Sequence, residues 1–242
     1  MLRFFHQIRQ RLLTENRFSK YLLYAVGEIL LVMIGILLAL QVNNWNEGRK
    51  DRILEKEVLI SLKQTLESNV SILEERVSYF NTALESGKII MEVIDSNLPN
   101  NDSLGFHFSR AVNGYGGADV ISSVGFEALK SSGFSLIMNK TLKNDILKLF
   151  ETTYRNLISV DNTFLRYNPY YKEVVGRLFY QDKSLSLKPY DYNSLFGSAS
   201  FYSVLKDYHF NCGWMKEETI QGLSETRRVL QLINEELSLI DL

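Results

Sequence analysis

The sequence has one cysteine, Cys212, three prolines, Pro99, Pro169 and Pro189, and three scattered histidines, His6, His107 and His209. A lone thiol excludes an intramolecular disulfide and a cysteine-based zinc site. It suits an oxidising or a reducing compartment and decides neither. Sparse proline leaves long stretches free to be helical. His209 and Cys212 stand three residues apart and could share a helix face, but two ligands fall short of what a metal requires; packing or hydrogen bonding is the default. No GxSxG, HExxH, phosphate loop or paired-carboxylate signature occurs. Gly114, Gly116 and Gly117 lack the GK[ST] and the strand–turn–helix setting of a nucleotide site, so they read as a loop. The acidic pairs Glu74–Glu75 and Glu235–Glu236 read as solvated helix faces. The expectation is no catalytic residue, no cofactor and no metal. No stretch carries a hairpin signal, and no repeat of fixed period stands out.

Charge of one sign is also lacking overall, at a net −1 for 242 residues. Its placement is uneven. Residues 1–20 hold Arg3, Arg9, Arg11, Arg17 and Lys20 against Glu15, and the remainder is net acidic. Scattered Lys and Arg in an acidic remainder argue against a nucleic-acid partner. A basic start before an apolar run is a membrane signature. That run, Tyr21 to Leu40, has Glu28 as its one charged residue. As a helix it spans roughly 30 Å, the hydrocarbon thickness. Tyr21 and Tyr24 at one end and Trp45 past the other form the interfacial aromatic pattern. A core helix would show a polar face, and a signal peptide would be shorter, with small residues before the cut. The reading is a retained transmembrane helix over 21–43, with the lipid bilayer as a partner. Arg17 and Lys20 precede it closely, whereas "QVNNWNEG" after it has no Lys or Arg, which favours a cytoplasmic N-terminus. Arg49, Lys50, Arg52 and Lys56 narrow that bias. Within 1–20, Phe5, Ile8 and Leu12 repeat at helical spacing and suit a basic amphipathic segment on an anionic leaflet; a disordered basic tail is the alternative.

Glu28, Val32, Gly35 and Ala39 share one face at 100° per residue, and Gly35 and Ala39 form a small-xxx-small pair that lets another helix approach closely. A carboxylate inside a membrane is costly and usually faces protein or water. The favoured role for this face is contact with another helix, either a second copy or another membrane protein. Snorkelling of Glu28 to water and proton relay in an ion-driven complex are the alternatives.

After the span, Leu59, Leu66, Leu73, Phe80, Gly87 and Ile94 run beside Val70, Val77, Leu84, Met91 and Leu98 as a heptad seam. It ends at "NLPNND". A single rod from the membrane to residue 97 is expected. Gly133 suits a helix stop and Asn139 the next N-cap. Leu142, Ile146, Leu149, Thr153, Leu157, Val160, Phe164 and Tyr167 mark a second long helix, which Pro169 ends or kinks. The segment "YYKEVVGRLF" can resume as helix, and "YQDKSLSLKPYDYNSLFG" reads as loop. Ile220, Leu223, Thr226, Leu230, Ile233, Leu237 and Ile240 mark a third. The fold class expected is all-α, an antiparallel helical bundle over 44–242 with a long membrane-proximal helix.

These features favour a non-enzymatic, membrane-anchored interaction or sensing module. Two other readings stay open. One is a subunit of an ion-driven complex using Glu28. The other is an enzyme with an unfamiliar site in the aromatic-rich span 167–208, where aromatics would otherwise be core.

The segments "IRQRLL", "SKYLLYA" with "GE", "GIL", "ALQ" and "NNWNE", and the internal "FEALKSSGFSLIMNKTL" together resemble a family of Gram-negative membrane proteins known as domain of unknown function 6090. The resemblance implies a single-pass inner-membrane protein with a helical domain, and the cytoplasmic N-terminus favoured by Arg17 and Lys20 would put that domain in the periplasm. It places Glu28, Gly35, Asn43, Asn44 and Trp45 in the family's characteristic stretch and supplies no catalytic residue.

Overall fold

The computed structural model describes residues 18–112, 121–164, 169–184 and 186–240. The basic segment 1–17, Gly114, Gly116, Gly117 and Tyr167 lie outside the described residues. The chain is mostly helical. Its elements are α1 (Phe18–Asp95), α2 (Leu104–Val112), α3 (Val124–Ser132), α4 (Lys140–Lys148), a π turn (Leu149–Tyr154), α5 (Arg155–Phe164), α6 (Pro169–Leu178), strands β1 (Phe179–Gln181) and β2 (Leu187–Pro189), and α7 (Ala199–Ile240). Contacts divide the chain into two compact units, one ending at Leu54 and one from Glu55 to Leu242.

The first unit is described by part of α1. It is long and apolar enough to cross a membrane, with a mean hydropathy of 2.4 over an 18-residue window of which 0% is buried. Gly48 sits inside the helix without interrupting it. Every side chain from Ile29 to Asp51 is exposed.

The second unit is organised by residues 55–95 of α1 and by α7. Their cross-links place them antiparallel: Asp95 meets Tyr202, Tyr79 meets Tyr208, Arg76 meets Thr219 and Glu74 meets Arg227. Each helix buries two series at a spacing of seven. In α1 these are Leu59, Leu66, Leu73, Phe80 and Gly87, beside Leu62, Asn69, Arg76, Ala83 and Ile90. In α7 they are Phe201, Tyr208, Met215, Gly222, Val229 and Glu236, beside Leu205, Cys212, Thr219, Thr226 and Ile233. A repeat of seven keeps one stripe facing a neighbour along a slightly supercoiled helix. The first α1 series is the expected one; Val70, Val77, Leu84 and Met91 are only half-buried, and Leu98 is exposed. The second stripe actually runs through Leu62 and Ile90, because Asn69 and Arg76 find buried partners. In α7 the helix starts some twenty residues before the expected seam, and Ile220 is exposed.

Three apolar clusters line this pair. Leu59, Leu66 and Leu73 pack with Phe126, Leu129, Ile146, Phe150 and Ile233. Phe80 and Ala83 pack with Tyr208, Cys212 and Met215. Ile90 packs with Phe108, Phe179, Leu187, Phe201 and Leu205.

Local chemistry explains the ends. Asn97 adopts φ 49°, the Leu98 N–H bonds Val93 O at 3.0 Å and the Asn97 N–H bonds Ile94 O at 3.3 Å. This is a Schellman stop with Asn in the usual glycine place, so α1 ends before Pro99 is reached. Gly133 has φ 92° and donates to Leu129 O, closing α3. Asn139 accepts from the N–H groups of Thr141 and Leu142, as an N-cap should. The second long helix runs as expected from Lys140 but contains the π turn. Its extra residue per turn rotates the buried stripe, so Phe150 and Tyr154 face inward while Thr153 is half-exposed. Pro169 begins α6, where its missing N–H costs nothing.

The expected loop 180–197 needs correction. Phe179–Gln181 pairs antiparallel with Leu187–Pro189. The connection contains no glycine. Instead Asp182 Oδ1 accepts from the N–H and hydroxyl of Ser184 and the N–H of Ser186, an Asx-type turn. Those donors hold the Asp182 carboxyl down at about 2. Ser109 Oγ accepts from the Leu187 N–H at 2.7 Å and so ties β2 to α2.

α3 lies so close to α1 that a Cβ on Gly125 would come within 2.8 Å of the Leu62 backbone and 2.7 Å of Ser61 O. Gly125→Ala should therefore destabilise the protein by about 2 kcal/mol. Gly176→Ala, with nothing within 4 Å, should leave stability unchanged or raise it by up to about 1 kcal/mol. Urea unfolding of the full chain in detergent, followed by helical circular dichroism, checks the contrast; equal midpoints would contradict the backbone contact.

Candidate functional site

Glu28, Val32, Gly35 and Ala39 all fall within α1, inside about 60° of arc at its helical pitch. Glu28 is half-buried, and the other three are exposed. A Cβ on Gly35 would meet nothing within 4 Å, and the same holds at Gly27 and Gly48. The described part of the chain therefore lays no side chain over the Gly35 groove. Trp45 is 69% exposed, and two residues before it Asn43 donates to Glu47 Oε1, one turn on, at 3.1 Å. Tyr21 and Tyr24 lie on the same helix, with side chains outside the described residues. The geometry thus presents an uncovered helix face that carries a carboxyl and two small residues.

The aromatic span behaves differently. Phe179, Phe201 and Tyr208 are buried. Phe179 and Phe201 pack ring to ring at 5.2 Å, and Phe108 joins Phe179 at 5.0 Å. Tyr170, Tyr180 and Tyr190 point outward. The inward rings therefore fill core volume. Among the described residues, no group of three or more His, Cys, Asp or Glu could hold a metal.

His209 and Cys212 do share the α7 face. Burial pushes the Cys212 thiol up to about 12, with the Tyr208 hydroxyl opposing that shift. A thiol held there is no nucleophile at neutral pH. Desolvation, helped by Lys88, lowers His209 and favours its neutral form. Its Nδ1 is buried without a hydrogen-bond partner. A Cβ on Gly87 would lie 2.6 Å from that nitrogen, so the ring rests directly on the α1 backbone.

A buried polar layer was not visible in the apolar pattern. Arg76 is 1% exposed. Its Nε donates to Thr219 Oγ1 at 2.9 Å, and the Thr219 hydroxyl in turn donates to Met215 O at 2.7 Å. The guanidinium also lies 5.2 Å from the Phe80 ring centroid, a distance at which a cation is attracted to the ring face. Nearby, the Tyr154 and Thr226 hydroxyls are 2.8 Å apart, and Thr226 donates to Gly222 O. Burial raises Tyr154 to about 12. Asn69 clasps both backbone groups of Ser122, at 2.9 and 2.8 Å. The available signal was the spacing of 62, 69, 76, 83 and 90, but hydropathy hides it.

Comparison with known protein families, with curated proteins and with solved structures finds no match.

The enclosed, protonated Cys212 generates a direct test. In the native full chain at pH 8, iodoacetamide should label it at least about 100-fold more slowly than in the urea-unfolded chain, whose thiol titrates near its usual value. Equal labelling rates would show that the α1–α7 seam is open at this level.

Proposed function

We propose that this chain is a single-pass protein of a bacterial inner membrane and a member of the family it resembles. Its N-terminus lies in the cytoplasm, and its helical domain works in the periplasm as a non-catalytic interaction or sensing module. The membrane helix contacts another helix, of a second copy or of another membrane protein, through Glu28, Val32, Gly35 and Ala39. One observation carries this reading. None of the apolar part of α1 is buried, so the described chain itself provides no apolar environment for it, and lipid plus a partner helix does. Exposed leucines need only lipid. Glu28 needs more, because a carboxyl in hydrocarbon is stabilised by a hydrogen-bonding or charged partner. Gly35 and Ala39 beside it open the space in which a second backbone fits. Arg17 and Lys20 support the orientation.

Reporter fusions after Leu242 test the topology. A periplasm-dependent reporter should be active and a cytoplasm-dependent one silent; the reverse pattern would overturn the orientation.

The contact face has its own test in quantitative crosslinking within native membranes. Gly35→Leu holds the backbones apart and should cut association at least severalfold, more than Leu37→Ala on another side. Glu28→Gln keeps size and hydrogen bonding without ionisation. It should preserve association through a protonated carboxyl and weaken it where Glu28 neutralises a buried cation. If neither Gly35→Leu nor Glu28→Gln changes any crosslink, the contact face is refuted.

A further inference from the structure

A cleft of about 260 Å³ opens where α3 meets the π turn. One wall is a column of Phe150, Tyr154 and Ile158, spaced four residues apart along the π turn and α5. Single π turns are rare and concentrate at functional sites. Here the widened turn puts two large rings on one side and sets Glu151 and Arg155 beside them at the rim.

The floor is rigid. Phe126 and Phe150 stack at 4.5 Å with their planes 1° apart. Asn69 fixes Ser122 at the back, and the Tyr154 hydroxyl is held by Thr226. The rim is the opposite. Lys130 Nζ bridges Glu127 Oε1 at 3.0 Å and Glu151 Oε1 at 3.7 Å, and Arg155 pairs with Glu151. Arg155 is 70% exposed and Lys130 40%. Such screened pairs contribute little and exchange readily for other partners. The arrangement is a preformed apolar floor beneath two cations and two carboxylates that are free to re-pair.

That charge pattern selects a ligand. A simple anion would meet Arg155 and Lys130 but be repelled by Glu127 and Glu151. A simple cation faces the converse. A nucleotide or phosphate ester is too negative for the two carboxylates. A zwitterion satisfies both signs, and the rings below it bury an apolar side chain.

We propose that this cleft binds a small zwitterion with an apolar side chain, of the class of free aromatic or branched amino acids. The ligand carboxylate takes hydrogen bonds from Arg155 and Lys130. Its ammonium donates to Glu151 and Glu127, and its side chain lies against Phe150 and Ile158. The site is built wholly within the helical domain and goes beyond the membrane reading; it would give that domain a soluble ligand to sense.

The test is isothermal titration of the full chain in detergent with L-phenylalanine, using glycine, phenylacetate and phenethylamine as probes that each lack one element. L-Phenylalanine should bind saturably, and each fragment roughly tenfold or more weaker, since one lost charged or apolar contact is of that order. Arg155→Gln should weaken L-phenylalanine about tenfold and leave phenethylamine no weaker, whereas Glu151→Gln should weaken both and leave phenylacetate no weaker. Unaltered helical circular dichroism and slow Cys212 labelling confirm that each variant is folded. Absence of saturable binding by L-phenylalanine, L-leucine and L-tryptophan at millimolar concentration would overturn the proposal. So would phenylacetate binding as tightly as L-phenylalanine, or wild-type affinity in Arg155→Gln. Gly35→Leu should bind L-phenylalanine normally, so failure of the membrane contact and failure of this site are read separately.

Discussion

The helical domain depends on one contact, the antiparallel seam between α1 and α7, and within it on the buried pair Arg76 and Thr219. A guanidinium that is 1% exposed is tolerable only where its donors are used and its charge is stabilised. Thr219 and the face of Phe80 contribute to both requirements. This constrains register. Sliding α7 by one heptad would bring Cys212 or Thr226 opposite Arg76. The first offers a weak acceptor, and the second would leave the buried Tyr154 hydroxyl without Thr226. Apolar heptads alone specify a face but are permissive about register, and the polar layer removes that freedom.

The other elements attach to this pair by means that suit their distance from it. α3 approaches most closely and needs Gly125, because any side chain there would strike the α1 backbone. The N–H of Gly125 finds Thr65 Oγ1 at 3.0 Å, so the tight approach also satisfies one free donor at the helix start. The loop before α4 is held from two sides: Glu55 of α1 accepts from the Met138 N–H, and Glu236 of α7 accepts from the Asn139 amide. The hairpin is remote from the seam and short, and it draws stability from the Asp182 turn and from the bond of Ser109 to Leu187.

α1 obeys two different rules along its length. From Glu55 onward it buries a polar-and-apolar seam. From Ile29 to Asp51 it buries nothing, which in water would expose a large continuous apolar surface. Hydropathy reports the second rule directly, because a helix long and apolar enough to cross a membrane is recognised by composition alone. The first rule is a matter of which side chain faces which, and composition only hints at it. The cleft beside the π turn shows the same limit: Phe126 and Phe150 are ordinary core residues in the pattern, and the structure makes them the floor of a recess.

What the chain's own order of residues determined was local. The apolar run, the continuous helix through Gly48, the stops near Asn97 and Gly133, the Asn139 cap and the first α1 stripe all follow from near-neighbour physics, and all were legible. The face formed by Glu28, Val32, Gly35 and Ala39 was legible as spacing. Tertiary structure decided the rest. It placed Asn69 and Arg76 inside, since their burial is stabilised by partners 53 and 143 residues away. It extended α7 back to Ala199, where Phe201, Tyr208 and Met215 become a stripe only against α1. It inserted the π turn, which sets Phe150 against Phe126 and Tyr154 against Thr226. Periodicity records which residues can share a face; whether a polar residue belongs on that face depends on a hydrogen-bond partner that only the folded chain brings within reach.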